Sequence, residues 1–289
     1  MLMNKTPPKM LILCASAFFA LAGCVTQGAP QANVTRTGPA PNDGLNAALW
    51  MQQAVEYKAT VDSVYALGHL RLAEALADKS WTALPELQDS DCYMKPPAII
   101  LDADETVLDN SAYQAMLVKT GTSFTEETWN AFVNDSSALA MPAALEFTKA
   151  AAAKGVTIFY VTNRSVDVED GTIRNLKALG FPMKDGVDTV MSKENTSKKS
   201  ARREAVAANY RVLLLFGDNF GDFTDDYKGT PAERQAVYES NAAHWGRDWL
   251  MLPNPSYGSW ETTAFGEDYS LSDEEKRQRK LDHLRIWEP

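Results

Sequence analysis

The chain has 289 residues, of which 45% are hydrophobic and 23% are charged. These values are typical of a globular protein with one large domain or two small ones, and they exclude a disordered or collagen-like chain. Thirty-eight acidic residues against 28 basic ones give a net charge of −10, which argues against broad contact with nucleic acid polymers or an anionic membrane surface. Three cysteines and three histidines are too few for a disulfide-stapled scaffold or a histidine-rich metal site.

The N-terminal segment has the pattern of a secretory leader. A lysine-containing start precedes an uncharged apolar stretch of about a dozen residues, which is too short to span a bilayer. The stretch ends in Leu21–Cys24, with the sequence LAGC, which resembles the cleavage box of bacterial lipoproteins. We therefore expect residues 1–23 to be a signal peptide and Cys24 to be lipidated, with a plain secretory signal as the alternative. Because Val25 follows in place of an inner-membrane retention aspartate, the resemblance implies an anchor in the bacterial outer membrane.

The next segments predict a tether followed by helices. Residues 24–44 are rich in proline, glycine, alanine and threonine and have no apolar periodicity, which predicts a flexible tether. Between residues 45 and 81 apolar side chains recur at helical spacing, which predicts one or two amphipathic helices. No later segment has 18 consecutive apolar residues, so a lipid anchor would be the only attachment to a membrane.

From residue 96 onward, short apolar runs alternate with helical patterns. The predicted strands are 98–101, 156–161, 211–216 and a weaker one at 189–191, and the predicted helices are 142–154, 172–179 and 200–208. This alternation predicts an α/β fold, with a Rossmann-like parallel sheet whose functional site lies at the carboxyl ends of the strands.

We expect this site within one main domain at 45–265. Its core would comprise about 96–110 and 141–225. A smaller, mainly α-helical part would come from 45–95, 111–140 and the C-terminal segment, and a helical tail would follow at 266–289.

Several common functional motifs are absent from the sequence. They are the glycine-rich dinucleotide and P-loop motifs, the G-x-S-x-G motif of serine hydrolases, the H-E-x-x-H motif of zinc proteases and the Cys-x-x-Cys pairs of structural zinc sites.

Polar residues follow the predicted strands or precede a helix near them. They are Asp102, Asp104, Thr162, Asn163, Lys198, Asp218 and Asp222. Two carboxylates two residues apart suit a division between a nucleophile and a proton donor. Acids from another strand end would complete an oxygen-only shell of the kind that suits Mg²⁺, and a hydroxyl and an ammonium would bind phosphoryl oxygens. Helix caps and solvated turns are the alternative for each motif taken singly.

Four segments carry a resemblance to a known family. They are Ile100–Asn110, Phe159–Arg164, Leu215–Phe223 and Met251–Glu261. On these segments the chain resembles the class C (DDDD) acid phosphatases of the haloacid dehalogenase-like (HAD) superfamily, of the outer-membrane lipoprotein and 5′-nucleotidase type. The likeness spans about residues 45–265 and implies a HAD-like fold.

The resemblance implies a role for each of the acids at the first strand end. Asp102 matches the nucleophile, which would form an aspartyl-phosphate. Asp104 matches the general acid that protonates the leaving group and then activates water, which implies an acidic optimum. Thr162 and Lys198, with Asn163 beside them, match the phosphate-binding residues. Because the segment before Lys198 departs from the family pattern, its neighbouring lysines 193 and 199 stay open as alternatives.

The resemblance also implies a metal site and a substrate class. Asp102 and Asp218 match the carboxylate ligands of Mg²⁺, Asp104 the main-chain carbonyl ligand, and Asp222 the fourth aspartate, at or behind the metal shell. Aromatic residues that match Trp129 and Tyr257 sandwich a nucleobase in this family, which implies nucleoside 5′-monophosphates as substrates.

The sequence therefore predicts a Mg²⁺-dependent acid phosphatase that acts on small phosphomonoesters outside the cytoplasm. Two alternatives stay open: a lipid-anchored haem- or nucleotide-binding protein with an idle site, and a phosphotransferase that passes the phosphoryl group to an alcohol. Three scattered histidines offer little for haem. The sequence does not fix the oligomeric state, and a homodimer stays open.

Overall fold

The computed structural model describes residues 42–288. The predicted signal peptide, Cys24 and the predicted tether up to residue 41 lie outside the described residues. The lipid anchor therefore stays a prediction. Within residues 42–288, no helix combines the length and the apolar character that crossing a membrane requires.

Helices and strands alternate along most of the described chain. The α-helices are α1 (Leu45–Gln53), α2 (Val55–Ala77), α3 (Ser111–Thr120), α4 (Glu126–Asp135), α5 (Ala144–Ala153), α6 (Glu169–Leu179), α7 (Ser200–Asn209), α8 (Pro231–Ser240), α9 (Ser259–Thr262) and α10 (Asp273–Asp282). The β-strands are β1 (Pro97–Leu101), β2 (Leu108–Asp109), β3 (Leu139–Ala140), β4 (Thr157–Ser165), β5 (Val190–Lys193), β6 (Arg211–Gly217) and β7 (Trp249–Met251).

Five of the strands form one parallel sheet in the order β5-β4-β1-β6-β7. The chain leaves β1 towards β4 and β5, then returns on the other side of β1 to form β6 and β7. In sheets of this kind, ligands bind outside the carboxyl ends of the strands where the strand order reverses. Leu101, the last residue of β1, is in register with Tyr160 of β4 and Phe216 of β6, so these three strands end at one edge. The predicted α/β fold is confirmed.

Hydrophobic side chains cover both faces of this sheet. Ile99 and Leu101 of β1 belong to one buried cluster, whereas the alternate residues Ala98 and Ile100 belong to another. This alternation follows from the two-residue period of a strand. Helix α2 approaches the first face closely at Gly68, where an added Cβ would lie 2.7 Å from Cζ of Phe216. A strand buried on both faces has few polar residues, which explains why the sequence pattern of β1 is a continuous apolar run.

Four elements of the fold had weak sequence signals. Strands β2 and β3 have two residues each and β7 has three, which is too short for any periodicity. Helix α8 has no buried residue and therefore no apolar stripe. It does begin with a capping box between Thr230 and Glu233 and a proline at its first position, and this signal could have predicted it. The elements of the expected helical part lie in the same compact unit as the sheet.

Candidate active site

Three aspartates from distant parts of the sequence meet at the carboxyl end of the sheet. Asp102 follows β1 directly, Asp218 follows β6, and Asp222 ends the short 3-10 turn after β6. Their carboxylates offer one oxygen each, and these oxygens all lie within 4.8 Å of one another. Asp222 reaches this position because Gly217 has no side chain: a Cβ there would lie 2.3 Å from Oδ2 of Asp222. The predicted juxtaposition of these three residues is what the structure shows.

The lysine that contacts this cluster is Lys199. Its ammonium is buried, forms an ion pair with Asp102 and lies 2.7 Å from Oδ1 of Asp222. The predicted phosphate-binding residue, Lys198, is exposed, and its backbone N–H donates to Oγ1 of Thr196. The structure thus places Lys199, which the sequence left open as an alternative, beside the aspartates in place of Lys198. The side chain of the residue directly before α7 turns towards the sheet edge, and that residue is Lys199.

The charges of this cluster do not balance. Burial raises the pKa of Asp102 to about 7, although the ammonium of Lys199 lowers it, and burial raises the pKa of Asp218 well above its usual value. Burial alone would lower the pKa of Lys199, but Asp102 and Asp222 outweigh this effect and keep the lysine charged. One ammonium against three carboxylates leaves an excess of negative charge. A buried, oxygen-only donor set with excess negative charge fits a hard divalent cation.

Asp104 lies beside this cluster, but its side chain has other partners. Its Oδ1 accepts hydrogen bonds from Nε of Arg164 and Nδ2 of Asn110, both at 2.9 Å. Its Oδ2 accepts from the hydroxyl of Thr162 at 3.2 Å. The carboxylate of Asp104 is thus not among the three that could hold a cation. The expected contact of its main-chain carbonyl with a metal stays a prediction.

The two other residues predicted to bind phosphate differ in exposure. Thr162 is fully buried, and its hydroxyl accepts from the backbone N–H of Arg164 at 3.1 Å while it donates to Asp104. Asn163 is exposed and lines the cavity beside the aspartates. Its Oδ1 accepts from Arg202 at 2.8 Å. Asn163 therefore faces the cavity directly, whereas Thr162 contacts Asp104.

Glu105 is a buried carboxylate that sequence reasoning passed over. It has a backbone φ of 49°, which is unusual for a residue with a side chain. Its carboxylate accepts from the backbone N–H of Asn110 at 2.9 Å and from the hydroxyl of Tyr257. Burial, followed by the charge of Asp104, raises the pKa of Glu105 to about 8. Asn254 is a second missed residue, and its Nδ2 donates to Oδ2 of Asp218 at 2.8 Å.

A cavity of about 450 Å³ opens onto these groups. Asp102, Asp104 and Lys199 line one part of it. Five aromatic residues are also among those that line it, and they are Phe124, Trp129, Tyr227, Tyr257 and Tyr269. The structure thus brings both predicted stacking residues, Trp129 and Tyr257, to the cavity that holds the aspartates. A larger, mostly apolar cavity of about 640 Å³ shares Asp218 with this one but lacks Asp102, Asp104 and Lys199, so we place the site in the smaller cavity.

The chain is similar to known proteins in sequence and in fold. A family model described as "HAD superfamily, subfamily IIIB (Acid phosphatase)" matches residues 27–260. Two structures of the class C acid phosphatase from Bacillus anthracis, one of them with tungstate bound, are 35% identical in sequence to this chain. They superimpose with TM-scores of 0.76 and 0.75, and each match covers 85% of this chain and 98% of the other.

Curated relatives include plant proteins. The stem 28 kDa glycoprotein of Glycine max is 24% identical over 164 residues, and a stem 31 kDa glycoprotein of the same organism is 29% identical over 165 residues. Each match covers 55% of this chain, and the chain spans 58% of the length of each of these two relatives.

We expect Mg²⁺ to raise the temperature of thermal unfolding, because a cation held by folded carboxylates stabilises the native state. At a concentration about 100 times the dissociation constant, the gain is about 2.7 kcal/mol. Scanning calorimetry with MgCl₂, against NaCl at equal ionic strength, measures this shift. Asp218→Asn should reduce it strongly, whereas Asp62→Asn, on an exposed position of α2, should keep it. An equal shift in both variants would show that the ion binds elsewhere.

Proposed function

The chain belongs to the acid phosphatases of HAD superfamily subfamily IIIB, and from this we propose that it hydrolyses phosphomonoesters in the candidate active site. One observation carries the proposal. The carboxylate of Asp102, paired with the ammonium of Lys199, and the separate carboxylate of Asp104 line one cavity at the carboxyl end of the sheet. This arrangement offers a nucleophile, a cation and a proton donor to the same bound group.

The proposed reaction has two steps. In the first, Asp102 attacks phosphorus, the bond to the ester oxygen breaks, and Asp104 donates a proton to that oxygen, so that an alcohol leaves and an aspartyl-phosphate remains. In the second, a water molecule attacks the same phosphorus, Asp104 takes a proton from this water, and the bond between phosphorus and the Asp102 oxygen breaks. Inorganic phosphate is released and both carboxyl groups return to their starting states.

The proposed cofactor is Mg²⁺, which Asp102, Asp218 and Asp222 would hold. When bound, it would offset the charge of these carboxylates and of the phosphoryl group. Lys199 would contribute a fixed positive charge beside Asp102, where the phosphoryl oxygens must come. Asn163, which faces the cavity, can donate a hydrogen bond from its amide to one of these oxygens.

Replacing Asp102 should abolish turnover while the fold is kept. Asp102→Asn is nearly the same size but is no nucleophile, so we expect phosphate release to fall by at least about 1,000-fold. Lys199→Met should lower kcat/KM by about 100-fold, because the variant lacks the ammonium that would stabilise the negative charge of the phosphoryl group. Lys198→Met is the matched control and should stay near the wild-type rate, since this side chain is exposed.

The assay measures inorganic phosphate and, in parallel, transfer to an added alcohol. Normal activity of Asp102→Asn would contradict the proposed nucleophile. A phosphoryl group found mainly on the alcohol would identify a phosphotransferase. Equal losses in Lys198→Met and Lys199→Met would contradict the placement of Lys199 in the site.

The proposed substrates are nucleoside 5′-monophosphates. Trp129 and Tyr257 line the cavity that holds Asp102, which supports stacking of a base between aromatic rings. Such stacking contributes about 1–3 kcal/mol per base and tolerates any base, so we expect broad use of nucleotides. The excess of acid over the whole chain makes a nucleic acid polymer an unsuitable partner.

Trp129→Ala should raise KM for nucleoside 5′-monophosphates by about tenfold, which corresponds to about 1.4 kcal/mol of lost stacking. Glycerol phosphate, which has no ring to stack, should show little change in KM. Steady-state kinetics with both esters measures the difference. Phe265→Leu, in a buried position that does not line this cavity, serves as the control. Equal changes in KM for both esters would contradict a stacking role.

We also propose that Cys24 anchors the protein to the bacterial outer membrane through lipid. The sequence LAGC at Leu21–Cys24 supports this proposal. Wild-type protein expressed in bacteria should incorporate labelled palmitate and fractionate with outer membranes, and Cys24→Ala should do neither. Equal membrane association of the two proteins would contradict the anchor.

A further inference from the structure

Arg164, at the end of β4, is a buried cation that the proposed reaction does not use. We propose that Arg164, together with Asn110, is a positioning residue that holds the carboxylate of Asp104 in place for proton transfer to the leaving group. The same arginine connects Asp104 to the aromatic wall at Trp129. This inference rests on the proposed phosphatase reaction.

The guanidinium of Arg164 is fully engaged by the protein. Its Nε and one terminal nitrogen both lie 2.9 Å from Oδ1 of Asp104. That terminal nitrogen also donates to Oδ1 of Asn110 at 3.0 Å, and the other donates to the hydroxyl of Thr172 at 3.3 Å. The side chain is only 1% exposed. Every nitrogen of the guanidinium therefore has a protein partner, and Arg164 is set up to orient Asp104 rather than to bind phosphate.

Asn110 completes this arrangement from the other side. It is fully buried, and its Nδ2 donates to Oδ1 of Asp104 at 2.9 Å. The same nitrogen lies 3.3 Å from Oε2 of Glu105, which fixes the orientation of the amide. The oxygen of this amide accepts from Arg164, so both ends of the Asn110 side chain are fixed.

The consequence for Asp104 is a division between its two oxygens. Oδ1 accepts hydrogen bonds from Arg164 and Asn110, so its capacity as an acceptor is used within the protein. Oδ2 has one contact, with the hydroxyl of Thr162 at 3.2 Å, and a hydroxyl can either donate or accept. Oδ2 is therefore the oxygen of Asp104 that is free to exchange a proton with the leaving group.

Arg164 also supports the wall against which the leaving group would lie. Its guanidinium carbon is 5.4 Å from the centre of the Trp129 ring, within the range of a cation–π contact. Trp129 packs edge-on against Tyr113, with the ring centres 5.0 Å apart. The buried side chain of Arg164 thus contacts both the proposed proton donor, Asp104, and the aromatic surface at Trp129. A leaving group that stacks on Trp129 is held in a fixed relation to Asp104.

The fork geometry of arginine is essential to this role. Lysine has a single nitrogen on a flexible stem and cannot reach Asp104, Asn110 and Thr172 from one position. Arg164→Lys therefore keeps the positive charge and loses the orientation of Asp104. A shift of about 1 Å in a group that takes part in the reaction can cost about 100-fold in rate.

The test compares two esters that differ in their need for a proton. The phenolate of p-nitrophenyl phosphate leaves without protonation, whereas the alkoxide of a nucleoside 5′-monophosphate needs the proton of Asp104. We compare kcat/KM because it reports only the steps up to the departure of the leaving group. In Arg164→Lys and in Asn110→Ala, we expect kcat/KM to fall about 100-fold for the nucleotide and to change little for p-nitrophenyl phosphate.

Arg174→Lys, an arginine on the exposed side of α6, is the matched control and should behave as wild type with both esters. Thermal unfolding of each variant shows whether a loss of activity comes from a misplaced Asp104 or from an unstable fold. If Arg164→Lys folds poorly, Asn110→Ala provides the same test. Equal losses with both esters in a folded variant, or no loss with either, would overturn the positioning role while the phosphatase stands. A wild-type protein that releases phosphate from neither ester would overturn the proposed function itself.

Discussion

The site depends on how buried carboxylates are kept close together in spite of their mutual repulsion. Five acidic side chains lie within one small region, and they are Asp102, Asp104, Glu105, Asp218 and Asp222. Removing ionised carboxylates from water is costly unless each is paired or hydrogen-bonded. The protein separates four of them into two groups with different cations, and Glu105 accepts hydrogen bonds from Asn110 and Tyr257. Lys199 serves the group that could hold a metal, and Arg164 serves Asp104.

This separation gives two carboxylates only two residues apart different surroundings. Asp102 continues the line of β1, and its backbone N–H still donates to Phe216 of β6 at 2.9 Å. The chain then turns sharply, and Glu105 takes the left-handed conformation that the turn requires. Conformations of this kind cost about 1–3 kcal/mol and persist only where surrounding contacts hold them. Here the contacts are the hydrogen bonds from Asn110 and Tyr257 to the Glu105 carboxylate.

Sequence patterns predicted the features that depend on residues close together in the chain. Continuous apolar runs predicted the buried strands, and acids directly after them predicted the aspartate cluster. No local pattern distinguishes the adjacent lysines 198 and 199. Which of them faces the cluster depends on where α7 begins, and because it begins at Ser200, that lysine is Lys199. The contacts of Arg164 were not predictable either, because Asn110 is 54 residues away in the chain. Parallel strands bring such residues together only once the sheet has formed.

In the proposed function, the charge balance of the cluster links cation binding to phosphate binding. Asp102, Asp218 and Asp222 outnumber Lys199, which forms ion pairs with Asp102 and Asp222. The raised pKa values of Asp102 and Asp218 mean that, without a cation, the cluster favours taking up protons. A divalent cation would remove the excess negative charge and leave room for that of a phosphoryl group. A bound cation would thus strengthen the binding of the phosphoryl group by some factor. By linkage, the phosphoryl group would strengthen the binding of the cation by the same factor. A protein of net charge −10 could therefore bind a phosphomonoester. The local electrostatic field in the cavity, and not the overall charge, would determine whether the phosphate group is attracted or repelled there.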